Sequence, residues 1–440
     1  MRPKSLTTHQ EDLFKSRLSN QLNPKHELFR LAALIPWDEL ETEFASIFDD
    51  KKAVGRPASP VRLIVGLLLL QHMHNLSDEN VVRMWVENGY WQYFCGYDHL
   101  QWQLPIDPSS LTRWRGRLGY ERIEKLLSMS VNVAVATGVV TRKELQEVIV
   151  DTTVMPKNIE FPTDTKLLEK ARARLVKLAK KHGLNLRQNY NLVTKKSMRK
   201  INGYLHARQM KRAKSEIKRF KTLVGRVSRD CWRKIQDNEL LQQVFAEILS
   251  QTNHLLTRKA SDKNKLYSLH EPEVSCISKG KAHKKYEFGS KVSLSMTHKK
   301  GVSIVTSALC FNNNPYDGHT LDQALKSSAK ITGINPVNAF VDRGYKGHSV
   351  TNCNVYISGQ KRGITARIKK QLKRRQAIEP HIGHLKNDGK LGLCRLKAFV
   401  GDQINALLCA AGYNLKQVLY HLRELLLQIL GLIFFIKLSC

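Results

Sequence analysis

Three acidic residues stand where the chain could use them chemically. In "AFVDRGYKGH" (339–348) the apolar run Ala339, Phe340 and Val341 ends on Asp342, and Arg343, Gly344, Tyr345, Lys346 and Gly347 follow. In "EVIVDTT" (147–153), Val148, Ile149 and Val150 lead to Asp151. Both segments read as β-strands with a carboxylate at the C-terminal end. The third acid, Glu379, lies in "TARIKKQLKRRQAIEPHIGHLKNDG" (365–389), with Arg375 four residues before it and Lys386 seven after. Those spacings share one face of a helix.

Carboxylates from separate elements are hard oxygen donors suited to Mg2+. Two such ions about 3.5–4 Å apart can activate a nucleophile and stabilise both the entering and the leaving oxygen of a phosphodiester displacement. On that reading Asp342 holds metal, the glycines let the chain turn sharply beside it, and Arg343 and Lys346 face phosphate. Either aspartate alone also reads as an ordinary strand-end acid capping the next turn. His381 and His384 form a His-x-x-His pair that suggests zinc, but no third nitrogen or sulfur ligand lies near them in sequence, and zinc sites require more imidazole or thiolate.

The rest of the chain must position these groups. Its 440 residues suffice for two or three domains, each with its own core. With 72 Lys and Arg against 38 Asp and Glu, the net charge of +34 points to a polyanionic partner. The eight cysteines contain no Cys-x-x-Cys pair and read as reduced thiols of a cytoplasmic protein. No signal peptide is expected from "MRPKSLTTHQEDLF". The apolar stretches at 61–70 and 425–436 are shorter than the roughly 20 residues that span a bilayer, so both are expected to be buried helices.

Residues 1–140 read as helical. "SPVRLIVGLLLLQHM" opens on a Ser-Pro pair suited to a helix start, and Ser77 begins another helix with Val82, Trp85 and Val86 on one face. "DPSSLTRWRGRLG" (107–119) opens a third, carrying Arg113, Arg115 and Arg117. This pattern fits a helix-turn-helix-like DNA-binding module and equally a helical bundle that only packs against the rest.

From Lys166 to Lys234 there are 23 Lys or Arg against three acids, Glu169, Glu216 and Asp230, a net of +20. The apolar residues keep helical period: Leu168, Ala171, Leu175 and Leu178, then Ile217, Phe220, Val224, Val227 and Cys231. The acids needed for i,i+4 pairing are missing, so the outer face is expected to meet phosphate. After residue 260 the segments 286–296 and 301–311 predict a hairpin around "THKK". The stretch 359–375 has eight basic residues, Arg374 and Arg375 included, and no acid, and reads as a phosphate track. Pro380 directly after Glu379 is expected to kink or restart that helix.

The segments "VDTTVMPKNIEFPTDTKLLEKAR", "NPYDGHTL", "AFVDRGYKGH" and "RRQAIEPHIGHLK" together resemble the DDE transposases of the IS5 insertion-sequence family, over residues 55–415. "SPVRLIVGLLLLQHMHNLSDENVVRMWVENGYWQYFCG" resembles the domain that precedes the catalytic one there. The family signature Tyr-x2-Arg-x3-Glu-x6-Lys is met at Arg375, Glu379 and Lys386, while position 372 is Leu instead of Tyr.

The resemblance implies an α/β fold, a ribonuclease H-like mixed sheet flanked by helices. It would carry an all-α N-terminal domain (1–140), a catalytic domain (145–415) with a basic helical insertion at about 165–260, and an apolar C-terminal helix (416–440). It implies Asp151, Asp342 and Glu379 as ligands of two Mg2+ ions, with Mn2+ able to substitute. The implied partners are double-stranded DNA, as terminal inverted repeats and target, and a second copy of the chain in a homodimer. DNA contacts are expected from Arg343, Lys346, Arg374, Arg375, Lys386, Arg113, Arg115 and Arg117, in a bacterial cytoplasmic, nucleoid-associated setting without membrane contact.

Overall fold

The structure, a computed structural model, describes residues 15–48, 57–259, 261–278 and 285–438, with 427–438 as backbone alone. Two compact units emerge: residues 1–156 together with 290–440, and residues 157–289. The described residues form six strands in chain order: β1 (Glu147–Pro156), β2 (Ser275–Ser278), β3 (Tyr286–Thr297), β4 (Val305–Phe311), β5 (Asn338–Val341) and β6 (Asn354–Ile357). They make one mixed sheet in which β3, β1, β5 and β6 are successive neighbours, and β2 and β4 both pair with β3.

In the first unit, β1 runs parallel to β5 with Ile149 opposite Phe340, and β5 runs parallel to β6. β3 and β4 are the expected antiparallel hairpin, with a register shift at Ser295 and Met296. Alternation along β1 divides its side chains between two cores, as the two-residue period of a strand requires. Val148 and Val150 join Leu321, Ala324, Ala339 and Val341, whereas Ile149 joins the large core on the other face. β1 does not stop at Asp151: Thr152, Thr153 and Val154 are β-branched and extend the ladder to Pro156, so the acid sits mid-strand.

The first unit's large core takes residues from the N-terminal helices, the sheet and the C-terminal helix. Helix Val61–Met73 is apolar almost all round and buried along its length, as such a helix must be. Ser77 caps Asp78–Glu87 by accepting from the Asn80 amide, as its position in the sequence suggests. Val82 and Trp85 are fully buried there. Helix Ser109–Ala136 breaks at Gly119, whose φ of 67° suits glycine. Ala398–Leu438 is one continuous helix. Its buried Asn414 accepts from the Val305 amide at 2.7 Å and donates to the Val305 carbonyl at 2.9 Å, pinning the start of β4. The apolar stretch 425–436 lies in this helix, and its side chains from 427 onward fall outside the described residues. Among the described residues no helix is long and apolar enough to cross a membrane.

The second unit packs helices Asp164–Lys181, Asn191–His206, Met210–Ile235 and Glu239–Thr257. The stripes legible in the sequence form its core: Leu168, Ala171 and Leu175 meet Phe220, Val224, Val227 and Cys231, with Leu178 and Ile217 at the margin. The three acids of the basic block are used internally. Glu169 pairs with Arg172, Glu216 accepts from Ser197, and Asp230 accepts the Arg187 amide at 2.8 Å. Most of the cations, Lys195, Lys196, Arg199, Lys200, Arg226 and Arg229 among them, are left on the surface.

Candidate active site

The register of β1 on β5 does the first positioning. Ile149 lies opposite Phe340; Asp151 comes two residues later on β1 and Asp342 directly after the end of β5, and the two carboxyls are near enough for Asp342 to raise Asp151. Asp342 follows the last residue of β5 and caps the 3-10 turn Arg343–Tyr345, accepting from the Gly344 amide at 2.8 Å. Asp151 accepts from the Thr152 amide at 2.8 Å. Burial, then the nearby Asp342, pushes the Asp151 carboxyl up to about 6, against partial relief from the Thr152 amide and Arg375.

Helix Ala366–Arg374 is braced beside β1, where the Gln371 amide donates to Glu147 Oε2 at 3.0 Å and the Gln371 carbonyl meets His298 Nε2 at 3.0 Å. The chain then passes through a 3-10 turn, Arg375–Ala377, before helix Ile378–Asn387 restarts. Pro380 sits in the first turn of that helix, where it is tolerated, so the interruption expected from sequence is present. The 3-10 turn also resets the helical phase. Arg375 is only 9% exposed and lies 3.5 Å from Asp151 Oδ2, whereas Glu379 is exposed.

A carboxylate outside the three expected ones joins the pair. Asp317 opens helix Asp317–Thr332, and its Oδ1 accepts from Thr152 Oγ1 and from Lys291 Nζ, both at 2.9 Å. Gly344 sits between two acids: a Cβ there would lie 3.0 Å from Asp342 Oδ1 and 3.2 Å from Asp317 Oδ2. Tyr345 is fully buried. Burial and then Asp151, Asp317 and Asp342 push its hydroxyl well above the usual tyrosine range. The signal for Asp317 in the sequence is the acid inside "NPYDGHTL", but an acid at a helix start is ordinarily explained by the helix dipole alone.

The remaining candidates separate by exposure. Arg343 and Lys346 are on the surface beside Asp342, with the Arg343 guanidinium lying against Gly359. Arg374 and Lys386 are half-buried. Arg113 and Arg117 are exposed, Arg117 lying 5.3 Å from the Trp114 ring centroid. Arg115 is turned inward, 5% exposed, donating to Asp78 and, at 2.7 Å, to Gln71, so it stands as a structural ion pair and not as a surface DNA contact. Burial raises the Asp78 carboxyl, but the hydrogen bonds and charge of Arg115, with Gln71 and Lys390, together leave Asp78 below its ordinary value. The two histidines are engaged locally, His381 Nδ1 with the Tyr413 hydroxyl and His384 Nδ1 with Asp388 Oδ2, each at 2.6 Å.

Among the described residues no group of three His, Cys, Asp or Glu is arranged to hold a metal ion as it stands. Asp151 and Asp342 nevertheless carry hard oxygen donors of the kind Mg2+ takes, and the cradle left by the missing Gly344 side chain opens on Asp342. The residues present therefore fit a hard divalent cation through these two.

The chain is similar to known proteins in two comparisons. Residues 16–117 match the family described as Transposase domain (DUF772). Over 209 residues, 48% of this chain and 100% of the relative, the chain is 47% identical to the "Uncharacterized protein ORF8 in nfe locus" of Rhizobium meliloti. No solved structure matches.

Proposed function

We propose that this chain, which belongs to the same family as the Rhizobium meliloti ORF8 protein and carries a transposase domain at 16–117, is a DDE-type DNA transposase that cleaves at insertion-sequence ends and joins the freed 3′-hydroxyls to target DNA. The observation that carries this reading is the register that makes Asp151 and Asp342 neighbours at the heart of the sheet. The succession β3, β1, β5, β6, with β4 on β3, supports the ribonuclease H-like architecture of the resemblance.

Asp151 and Asp342 would hold Mg2+, or Mn2+ in its place, and Glu379 is assigned as the third carboxylate on the resemblance. The metal, when bound, would supply charge stabilisation at the entering and leaving oxygens. Arg375, 3.5 Å from Asp151 Oδ2, offsets part of the repulsion between the two acids. Arg343 and Lys346, exposed next to Asp342, would take backbone phosphates, as would the surface cations of the second unit. A dimer on DNA follows from the need to handle two ends together.

The test is a cleavage and joining assay with the full chain, Mg2+ or Mn2+, and labelled duplex from the DNA flanking the gene. Metal-dependent nicking at a defined end, with joined products, is expected, and Asp342→Asn should lose it while still binding DNA. Cutting without joining would make the protein a nuclease. Tight binding with no nicking in the unaltered chain would leave a protein that only occupies DNA ends.

A further inference from the structure

The segment Pro315–Gly318 converges on the turn that carries Asp342, and the chemistry above leaves it without a role. Asp317 ties three elements together: through Thr152 it holds β1 next to Asp151, through Lys291 it holds β3, and it begins the helix packed over Tyr345. Lys291 is buried and also donates to the Pro315 carbonyl at 2.6 Å, so both its long stem and its charge serve this junction. The neighbouring Tyr316 donates its hydroxyl to the Lys346 carbonyl at 2.9 Å, just past the Asp342 turn. A Cβ on Gly318 would meet the Tyr316 ring at 2.9 Å, so any side chain there would have to shift that ring. The helix start is therefore tied to the Lys346 end of the turn Asp342–Lys346 and borders Gly344 within it.

We propose that Asp317 is a positioning residue of the carboxylate site, fixing Asp342 and the Asp151 segment of β1 in one mutual arrangement for cation binding. Its Oδ1 is committed to Thr152 and Lys291, and its Oδ2 closes the far side of the Gly344 cradle. The Lys291 ammonium balances the third negative charge, so Asp317 can sit against two other acids without driving them apart. Partners of this kind orient metal ligands, and losing one typically costs about 10–100-fold in metal affinity. This inference rests on the reading of Asp151 and Asp342 as cation ligands.

The experiment is a Mn2+ titration followed by electron paramagnetic resonance, which reads free Mn2+ and needs no turnover. It uses the full metal-free chain and the variants Asp342→Asn, Asp317→Asn and Thr152→Val, with a melting curve for each and Mn2+-dependent nicking as a second readout. Asp342→Asn should abolish the site. Asp317→Asn and Thr152→Val should bind Mn2+ about tenfold or more weakly and need correspondingly more Mn2+ for half-maximal nicking, with little change in melting. Thr152→Val removes only a hydroxyl donor and decides the matter if Asp317→Asn does not fold. Unchanged Mn2+ affinity in both, with Asp342→Asn still abolishing binding, would overturn the role of Asp317 and leave the metal reading intact. No Mn2+ binding that depends on Asp342 in the unaltered chain would overturn both.

Discussion

Asp342 and Asp317 border the same empty position, the place a side chain on Gly344 would occupy, 3.0 Å from the first and 3.2 Å from the second. A methyl group there must displace one carboxylate or the other. Gly344→Ala is therefore expected to fold and to lower strand cleavage, by less than the about 100-fold that follows a 1 Å misplacement, because the carboxylates need give by only a few tenths of an ångström. Single-turnover nicking beside a melting curve checks this, and full activity would show that the two carboxylates can part without consequence.

The ion pair of Arg115 with Asp78 leads to a different outcome for neighbouring arginines. Arg115→Met leaves a half-buried carboxylate unpaired and is expected to cost about 3 kcal/mol of stability. Arg113→Ala and Arg117→Ala, both at exposed positions, should leave the unfolding midpoint unchanged and weaken DNA binding. Urea unfolding and a salt-controlled binding assay, run on all three, separate the two roles.

Asp151 sets a pH dependence in the metal-free protein. Its ordinary value of 3.8 is raised to about 6 in the fold, so the folded chain holds this proton more tightly than the unfolded one. The stability it contributes is fully present below about pH 3.8 and is lost as pH rises through about 6, at most about 3 kcal/mol. Asp151→Asn should remove that slope, gaining on the parent chain between pH 4.5 and 7.5 in the presence of EDTA. A difference that stays constant over this range in urea unfolding would refute the shift.

Within the second unit, Lys157 and Glu271 form a buried pair, Nζ to Oε2 3.2 Å, with side chains 2% and 5% exposed. Glu273 also neighbours Lys157, so Glu271→Ala removes one counter-charge and is expected to destabilise this unit by less than the about 3–5 kcal/mol of a wholly uncompensated buried charge. Limited proteolysis between residues 157 and 289 would report it directly.

The surface cations of helix Asn191–His206 offer a test that does not involve catalysis. Replacing Lys195, Lys196, Arg199 and Lys200 by Gln should flatten the dependence of log Kd on log salt, by about 0.9 for each phosphate that is no longer neutralised. Unchanged slopes would mean that this face is merely solvated.

Much was legible in the sequence because it depended on neighbours along the chain. The stripes Leu168 to Leu175 and Phe220 to Cys231 became a helical core, residues 286–311 became a hairpin, Ser77 capped its helix and Pro380 marked an interruption. Periods of 2 and 3.6 residues and the missing amide of proline act over a few residues, so they show without a fold. What remained hidden was decided across long separations. Asp151 lies 224 residues from Arg375 and 166 from Asp317, and only the register of β1 on β5 makes it a neighbour of Asp342. The sequence likewise could not say that Arg115 turns inward to Asp78 while Arg113 and Arg117 stay outside, or that a 3-10 turn parts Arg375 from Glu379. The sequence by itself determined the charge, the elements and the acids available for chemistry. The tertiary structure alone decided which acids meet, because that follows from strand register and helix phase, and a shift of one residue in either would turn a side chain to another face.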